Sequence, residues 1–348
     1  MVFIKYAFFC TLILVLPSVK ARSQDFVPRT YTSALMYRIS GKGLARPSYI
    51  YASLHSMPCQ YVQQKPRFIE IAQSVDCITT EINIDSMKWW TDSLEVYGQH
   101  LFQEIKPLIT LPETEWIQHV APEKYHYIDS IFQRYCVVEG IDDWEHLNML
   151  AFISVNPLLL SNKVATVVTH EVLGLPRVAE TIAIDTYMYT LADSLGKEKA
   201  QLESLEYQNS LLFGADFKNI KMDSMRANLE QLNLMLGSGT IQSETLYTIA
   251  QTLDCELYTD IVSITAAYVH QDGIATSFLL AQSDNGSLAQ RLQLQARNNR
   301  WLPLMTEMIQ AKPTLFVVGI SHLFDDCGYP GVLHLLENEG YTIEAVRL

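Results

Sequence analysis

Apolar runs that end in a polar residue recur near both ends of the chain and predict strands of one sheet. The segment PSYIYASLH is aromatic and apolar and ends at His55. The segment PTLFVVGISH contains a continuous apolar stretch at residues 315–318, followed by Gly319 and His322. A continuously apolar strand is typical of a sheet that is covered on both faces. Both histidines are therefore expected where a buried strand opens into a loop.

The N-terminal part of the chain predicts further elements of the same layer. ALMYRIS, at residues 34–40, alternates like a strand, and DCITTEINI, at residues 76–84, predicts another strand that carries Glu81 near its end. Pro66 opens a segment whose apolar residues recur at intervals of three and four, which predicts a helix. This part therefore alternates between strands and a helix.

The middle of the chain predicts mainly helices. Residues 86–180 carry apolar stripes interrupted by prolines, and residues 184–195 have an apolar face that ends before Gly196. AQLESL, at residues 200–205, predicts a short strand carrying Glu203. Since strands alternate with helices at both ends, we predict an α/β fold. Its central sheet is built from the N- and C-terminal thirds and flanked by helices, with a mostly helical middle insert.

The first 21 residues have the order of a secretory signal peptide. Lys5 precedes an apolar run, and the small residues Val19 and Ala21 mark a cleavage site. We therefore predict a signal peptide at 1–21, a mature domain at 22–348 and a secreted or periplasmic location, with an uncleaved anchor as the alternative. No later run of about twenty apolar residues follows, so no membrane span is expected after cleavage.

Charge narrows the range of partners. Removing residues 1–21 leaves 23 basic and 38 acidic residues, a net charge of −15. An acidic chain without a basic block argues against nucleic acid and against an anionic membrane surface as partners. Five cysteines remain in the mature chain and none forms a Cys-x-x-Cys pair, so a cysteine-based structural zinc site is not expected.

Four polar residues follow short apolar runs: His55, Glu81, Glu203 and His322. Ligands of α/β sheets collect beyond the carboxyl ends of the strands, so one sheet would bring these side chains to one rim. Two imidazoles with carboxylates suit a divalent metal, which activates water as a nucleophile. Arg297 could hold a substrate carbonyl or carboxylate through its planar guanidinium. The alternative for each histidine is an ordinary packed residue at a strand end.

Four motifs in order resemble the TraB/GumN family over about residues 34 to 347. They are ALMYRISGKGLARPSYIYASLH, TTEINI, AIDTYMYTLADSLGKEKAQLESLEYQ and the closing KPTLFVVGISHLF with GVLHLLENEGYTIEAV. The family includes the animal Tiki proteins, metalloproteases that depend on divalent cations such as manganese or cobalt. The resemblance implies that His55 and His322 are the paired histidines of two Gly-x-x-His motifs, with Glu81 as their acidic partner.

The same resemblance implies that the remaining polar residues of the cleft are Glu203, Gln208, Arg297 and Asn298. The chain departs from the family pattern twice. Ala52 replaces the glycine of the first Gly-x-x-His motif, and Ala296 replaces the glutamate of the usual Glu-Arg-Asn. A methyl group cannot bind a metal or transfer a proton. If that glutamate is essential, the chain is impaired in catalysis.

Together with these residues, the resemblance implies a secreted, divalent-metal-dependent hydrolase with a peptide or protein substrate. The predicted metal ligands are His55, His322 and Glu81, with manganese or cobalt, or alternatively zinc, as the ion. The predicted catalytic residues are Glu81, Glu203, Arg297 and Asn298. The alternative function is an inactive periplasmic binding protein that keeps the fold and the cleft. A disulfide between Cys59 and Cys327 is a further hypothesis, with two unrelated thiols as its alternative.

Overall fold

Six strands form one mixed sheet in the computed structural model, which describes residues 27–83, 130, 157–176, 182–213, 258–283 and 288–348. The order across the sheet is β4-β3-β5-β2-β1-β6. The strands are β1 (Met36–Ser40), β2 (Ser48–Ser53), β3 (Cys77–Thr80), β4 (Glu198–Gln201), β5 (Thr314–Gly319) and β6 (Thr342–Val346).

The strands β4, β3, β5 and β2 are parallel to one another, whereas β1 is antiparallel to both β2 and β6. Ser53 pairs with Gly319 and Thr80 pairs with both Val317 and Gln201, so the four parallel strands end near one another. All residues of β2 and β5 are buried, as continuously apolar central strands require. The carboxyl ends of these strands therefore form one rim.

The described residues also contain nine α-helices and one short 3₁₀-helix, which is Ile320–His322. The helices are α1 (Gln60–Gln63), α2 (Pro66–Ser74), α3 (Pro157–Leu173), α4 (Ile184–Ser194), α5 (Leu205–Phe213), α6 (Tyr258–Val269), α7 (Gly273–Ser283), α8 (Leu288–Ala311) and α9 (Val332–Asn338). Helix α2 begins at Pro66, where the missing backbone N–H costs nothing because the first turn has no partner for it. Gly196 follows α4 with a φ of 62°, the left-handed conformation that glycine tolerates at a helix end.

Helix α8 contributes one face to the hydrophobic core of the sheet. Its buried residues Trp301, Met305 and Ile309 recur every four positions and belong to the same core as Phe316 of β5. The polar residues Arg297 and Asn298 of α8 contact Glu203 and His322 at the rim.

The predicted α/β class, with its central sheet and flanking helices, is confirmed. Most of the sheet comes from the two ends of the chain, as expected, while β4 adds an edge strand from the middle. Of the predicted helical segment at 86–180, residues 157–176 contain α3, and the rest lies almost entirely outside the described residues. The predicted signal peptide also lies outside them.

Cys59 and Cys327 were hypothesised to form a disulfide. Cys59 is a buried free thiol and Cys327 an exposed one, so the hypothesised disulfide is not formed. Cys59 Sγ donates to Gln60 Oε1 at 3.6 Å, whereas Cys327 has a φ of 47°. Across the described ranges, no helix is both long and apolar enough to cross a membrane.

Candidate functional site

The parallel strands place four of the predicted residues at one rim of the sheet. Glu81 directly follows β3, His55 and Glu203 lie two residues beyond β2 and β4, and His322 ends the 3₁₀-helix after β5. Neighbouring strands with aligned ends place their following residues close together. The predicted rim thus corresponds to a real cluster of side chains.

Gly319, the last residue of β5, lies at the centre of this rim. A Cβ atom added to Gly319 would lie 3.1 Å from Glu81 Oε1, 3.5 Å from His55 Nε2 and 3.8 Å from His322 Cδ2. Its φ of −56° is ordinary, so the backbone does not need glycine for its conformation. The glycine instead leaves room between three polar side chains, and we call this space the Gly319 pocket.

Arg297 of α8 is the buried cation of the site. Its Nε donates to Glu203 Oε1 at 2.9 Å, its Nη2 donates to Glu81 Oε2 at 2.5 Å, and its Nη1 lies 2.9 Å from His322 Nε2. All four residues are less than 10% exposed. Burial alone would lower the pKa of Arg297, but the two carboxylates raise it above its ordinary value, so the guanidinium stays charged.

The contacts of His322 define its protonation. A guanidinium cannot accept a hydrogen bond, so His322 Nε2 must accept one from Arg297 Nη1. The other ring nitrogen, Nδ1, then donates to Asn298 Oδ1 at 2.6 Å. Burial is the main cause that lowers the pKa of His322 to about 3; the negative charge of Glu81 raises this pKa, and the positive charges of Arg297 and His55 lower it further. His322 is therefore a neutral imidazole at neutral pH, with a proton on Nδ1.

Glu81 is held as a carboxylate at the edge of the Gly319 pocket. The backbone N–H of Gly319 donates to Oε1 at 2.6 Å, and Gln208 Nε2 donates to Oε2 at 3.3 Å. Burial alone would raise the pKa of Glu81, but the interaction with the His322 ring, the positive charges of Arg297 and His55 and the Gly319 N–H lower it to about 2. One oxygen of Glu81 thus faces the pocket and the other binds Arg297.

Glu203 makes different contacts from those of Glu81. Its Oε1 accepts from Arg297, and its Oε2 accepts from Trp301 Nε1 at 2.9 Å. The Trp301 ring also packs on the His322 ring, with 4.3 Å between centroids. Both oxygens of Glu203 are therefore occupied in holding Arg297 and Trp301, whereas the atoms nearest to a Cβ at Gly319 belong to Glu81, His55 and His322.

His55 is the exposed member of the site, with 72% of its side chain accessible. Its Nδ1 lies 3.0 Å from Asp185 Oδ2, and Asp185 Oδ1 accepts from Ser53 Oγ at 2.8 Å. The negative charge of Asp185 is the main cause that raises the pKa of His55 to about 9. With Nδ1 engaged, Nε2 is the nitrogen that faces the Gly319 pocket.

Two residues of the site were missed by the sequence reasoning. Asp185 lies in the first turn of α4, where an acidic residue is usually explained by the helix dipole. Trp301 lies four residues after Arg297 on the same face of α8, a spacing that could have predicted its position. Asp185 lies within the third of the four family motifs, which does not single it out, and Trp301 lies in none of them.

A divalent metal requires donor atoms that converge with free lone pairs. Across the ranges that the structure describes, no group of three or more His, Cys, Asp or Glu residues is already arranged as a metal site. The geometry explains this, because Arg297 occupies the lone pair of His322 Nε2, and that atom lies 4.0 Å from Glu81 Oε1. The donor chemistry nevertheless fits a metal, since His55 Nε2 and Glu81 Oε1 face a pocket that a Cβ would crowd.

Comparison with known protein families identifies the family of this chain. The model of the TraB/PrgY/gumN family matches residues 35–345, and the chain belongs to this family. The predicted resemblance is thereby confirmed. Neither a curated protein nor a solved structure matches the chain.

Proposed function

We propose that the chain is a divalent-metal-dependent hydrolase of the peptidase type that works outside the cytoplasm. The observation that carries this proposal is the convergence of His55 Nε2, Glu81 Oε1 and the His322 ring on the Gly319 pocket. Two imidazoles and one carboxylate would hold manganese, cobalt or zinc. When bound, such a cation supplies Lewis-acid activation of water and of a substrate carbonyl.

His322 supplies its donor atom when Arg297 releases it. The Nε2 lone pair now accepts a hydrogen bond from Arg297 Nη1, while Nδ1 stays bonded to Asn298. The Asn298 bond fixes the tautomer, because it keeps the proton on Nδ1 and the lone pair on Nε2. Asn298 is therefore assigned the role of orienting His322 rather than that of a proton donor.

Arg297 is assigned the role of binding the substrate carbonyl. Three of its five N–H groups make the hydrogen bonds to Glu203, Glu81 and His322, and Nη2 also lies 2.7 Å from Glu203 Oε1. The Nη1 N–H that now donates to His322 becomes available to a substrate carbonyl oxygen when His322 is released. Glu203 keeps the guanidinium in place, so the positive charge stays beside the carbonyl as negative charge develops on it.

A metal-free binding protein is the second candidate, and the charge balance of the cluster favours it. Arg297 already neutralises much of the charge of Glu81 and Glu203, so the fold does not need a metal to bury them. The replacement of the family glutamate by Ala296 points the same way. Ala296 is exposed, however, so a glutamate there would add a surface carboxylate and not a member of the buried cluster.

Metal content separates the two candidates. The protein is purified without chelator, equilibrated with manganese, cobalt or zinc and analysed by elemental mass spectrometry as wild type, His55→Ala and His322→Ala. His270→Ala, an exposed histidine at the end of α6, is the matched control. The proposal expects about one equivalent in the wild type and the control and its loss in both site variants.

Turnover is then measured on a peptide library with the ion that binds. Cleavage that His322→Ala abolishes supports the hydrolase. A wild type that retains none of the three ions overturns the metal-dependent function. Peptide affinity without cleavage would assign the chain to the binding-protein class.

A further inference from the structure

His55 is an exposed imidazole that needs an external constraint to face the Gly319 pocket. Its side chain is 72% accessible, so packing alone does not choose a ring orientation. Among the described residues, the side-chain hydrogen bond that the structure gives it runs from Nδ1 to Asp185 Oδ2 at 3.0 Å. Asp185 lies 130 positions further along the chain. The orientation of His55 is therefore determined by tertiary structure.

Asp185 is itself rigidly placed. Ser53, the last residue of β2, donates from Oγ to Asp185 Oδ1 at 2.8 Å, and the Asp185 side chain is only 15% exposed. Each carboxylate oxygen thus has its own partner, one on the strand end and one on His55. A carboxylate held in this way cannot rotate without breaking a hydrogen bond.

The backbone fixes the distance between the two residues. The start of α4 is joined to the loop that carries His55 through an antiparallel bridge between Pro58 and Ala183. The N–H of Cys59 donates to the carbonyl of Ile182 at 2.8 Å, and the N–H of Ile184 donates to the carbonyl of Met57 at 3.3 Å. The loop after β2 and the first turn of α4 therefore form one unit.

From this geometry we propose that Asp185 is the positioning residue of His55. In the neutral ring it keeps the proton on Nδ1, so that Nε2 is the atom presented to the Gly319 pocket and to a bound cation. The inference rests on the proposed function, because it assigns a role within the same site. A carboxylate behind a ligating histidine fixes both the tautomer and the ring orientation, and its loss typically costs about 10–100-fold in metal affinity.

The test compares Asp185→Asn and Asp185→Ala with a control on the same helix. Asp185→Asn keeps the size of the side chain but can turn its amide N–H toward the ring, which favours the opposite tautomer. Asp193→Asn makes the same chemical change at the other end of α4, where Asp193 is exposed and pairs with Lys199. Melting temperatures of all variants establish that they are folded.

The first readout is the dissociation constant for manganese, cobalt and zinc. We expect it to rise about 10–100-fold in both Asp185 variants and to stay at the wild-type value in Asp193→Asn. Wild-type affinity in both Asp185 variants would overturn the proposal.

The second readout needs no metal, which separates this proposal from the proposed function. Nitrogen-15 NMR of histidine-labelled protein, at a pH where the His55 ring is neutral, reports which ring nitrogen carries the proton. We expect the Nδ1–H tautomer in the wild type and a shift toward Nε2–H in Asp185→Ala. If the tautomer shifts and the wild type binds none of the ions, the shift supports the positioning role, and the lack of binding overturns the metal-dependent function. An unchanged tautomer overturns the positioning role.

Discussion

Replacing Arg297 by Met is the most direct test of how the site is built. The guanidinium is buried and makes its hydrogen bonds to Glu81, Glu203 and His322. Methionine has an unbranched side chain and no charge, so the substitution removes the cation while it retains much of the volume. Two carboxylates are then left in the interior without their buried counter-charge.

The size of the effect follows from this arrangement. Removing one partner of a buried ion pair typically costs about 3–5 kcal/mol, because an uncompensated charge stays behind. The Gly319 N–H and Trp301 Nε1 still donate to Glu81 and Glu203, so the lower half of this range is expected. At roughly 2 °C per kcal/mol for a large domain, the melting temperature should fall by about 6–8 °C.

The assay is thermal unfolding followed by circular dichroism at neutral pH with chelator present. Arg300→Met is the control, because Arg300 lies one turn further along α8, is exposed and stacks 4.1 Å from the Tyr207 ring. An exposed cation–π contact is worth about 0.5–1 kcal/mol, so this variant should melt within about 2 °C of wild type. Adding Glu81→Gln to Arg297→Met should recover part of the loss, since it removes one stranded charge. If Arg297→Met melts like the control, the charge cluster does not stabilise the fold as described.

Three further predictions follow from named contacts. Gly319→Ala should fold normally but lose metal binding in equilibrium dialysis, because its Cβ would lie 3.1 Å from Glu81 Oε1; retained binding would contradict the assigned pocket. Trp301→Phe should lower the free energy of unfolding in urea by about 1–3 kcal/mol, because the hydrogen bond to Glu203 is lost, and an unchanged midpoint would refute this. Burial raises the pKa of Tyr61 from 10.0 to about 12. The contribution of the neutral Tyr61 side chain to the free energy of unfolding should therefore be complete below pH 10. It should be lost as the pH rises toward 12, by up to about 1.4 kcal/mol per pH unit. In Tyr61→Phe, the free energy of unfolding should fall less steeply at alkaline pH.

The apolar pattern was sufficient to predict much of the sheet. Residues 315–318 are continuously apolar and form the middle of β5, and the helix expected at 184–195 is found as α4. The strand expected at 200–205 begins two residues earlier, so Glu203 lies beyond the strand end and not within it. Element boundaries are decided by hydrogen bonding to neighbouring strands, which a local pattern does not contain.

The site was predictable in its members but not in their arrangement. His55, Glu81 and His322 were expected together because parallel strands share a rim, and they do surround Gly319. The sequence did not predict that Arg297 would occupy the His322 lone pair. It also gave no sign that Asp185, far along the chain, would bind His55.

The sequence by itself determined the strand–helix pattern, the strand-end histidines and acids, and the motifs by which the chain was placed in its family. These features are local, since hydrophobic periodicity and short motifs can be read from consecutive residues. Only the tertiary structure decided which polar atoms bind one another: Arg297 with Glu81, Glu203 and His322, and Asp185 with His55. Those contacts join residues from strands, loops and helices that are far apart in the chain. Because hydrogen bonds depend on distances of tenths of an ångström, only the packed fold can specify them.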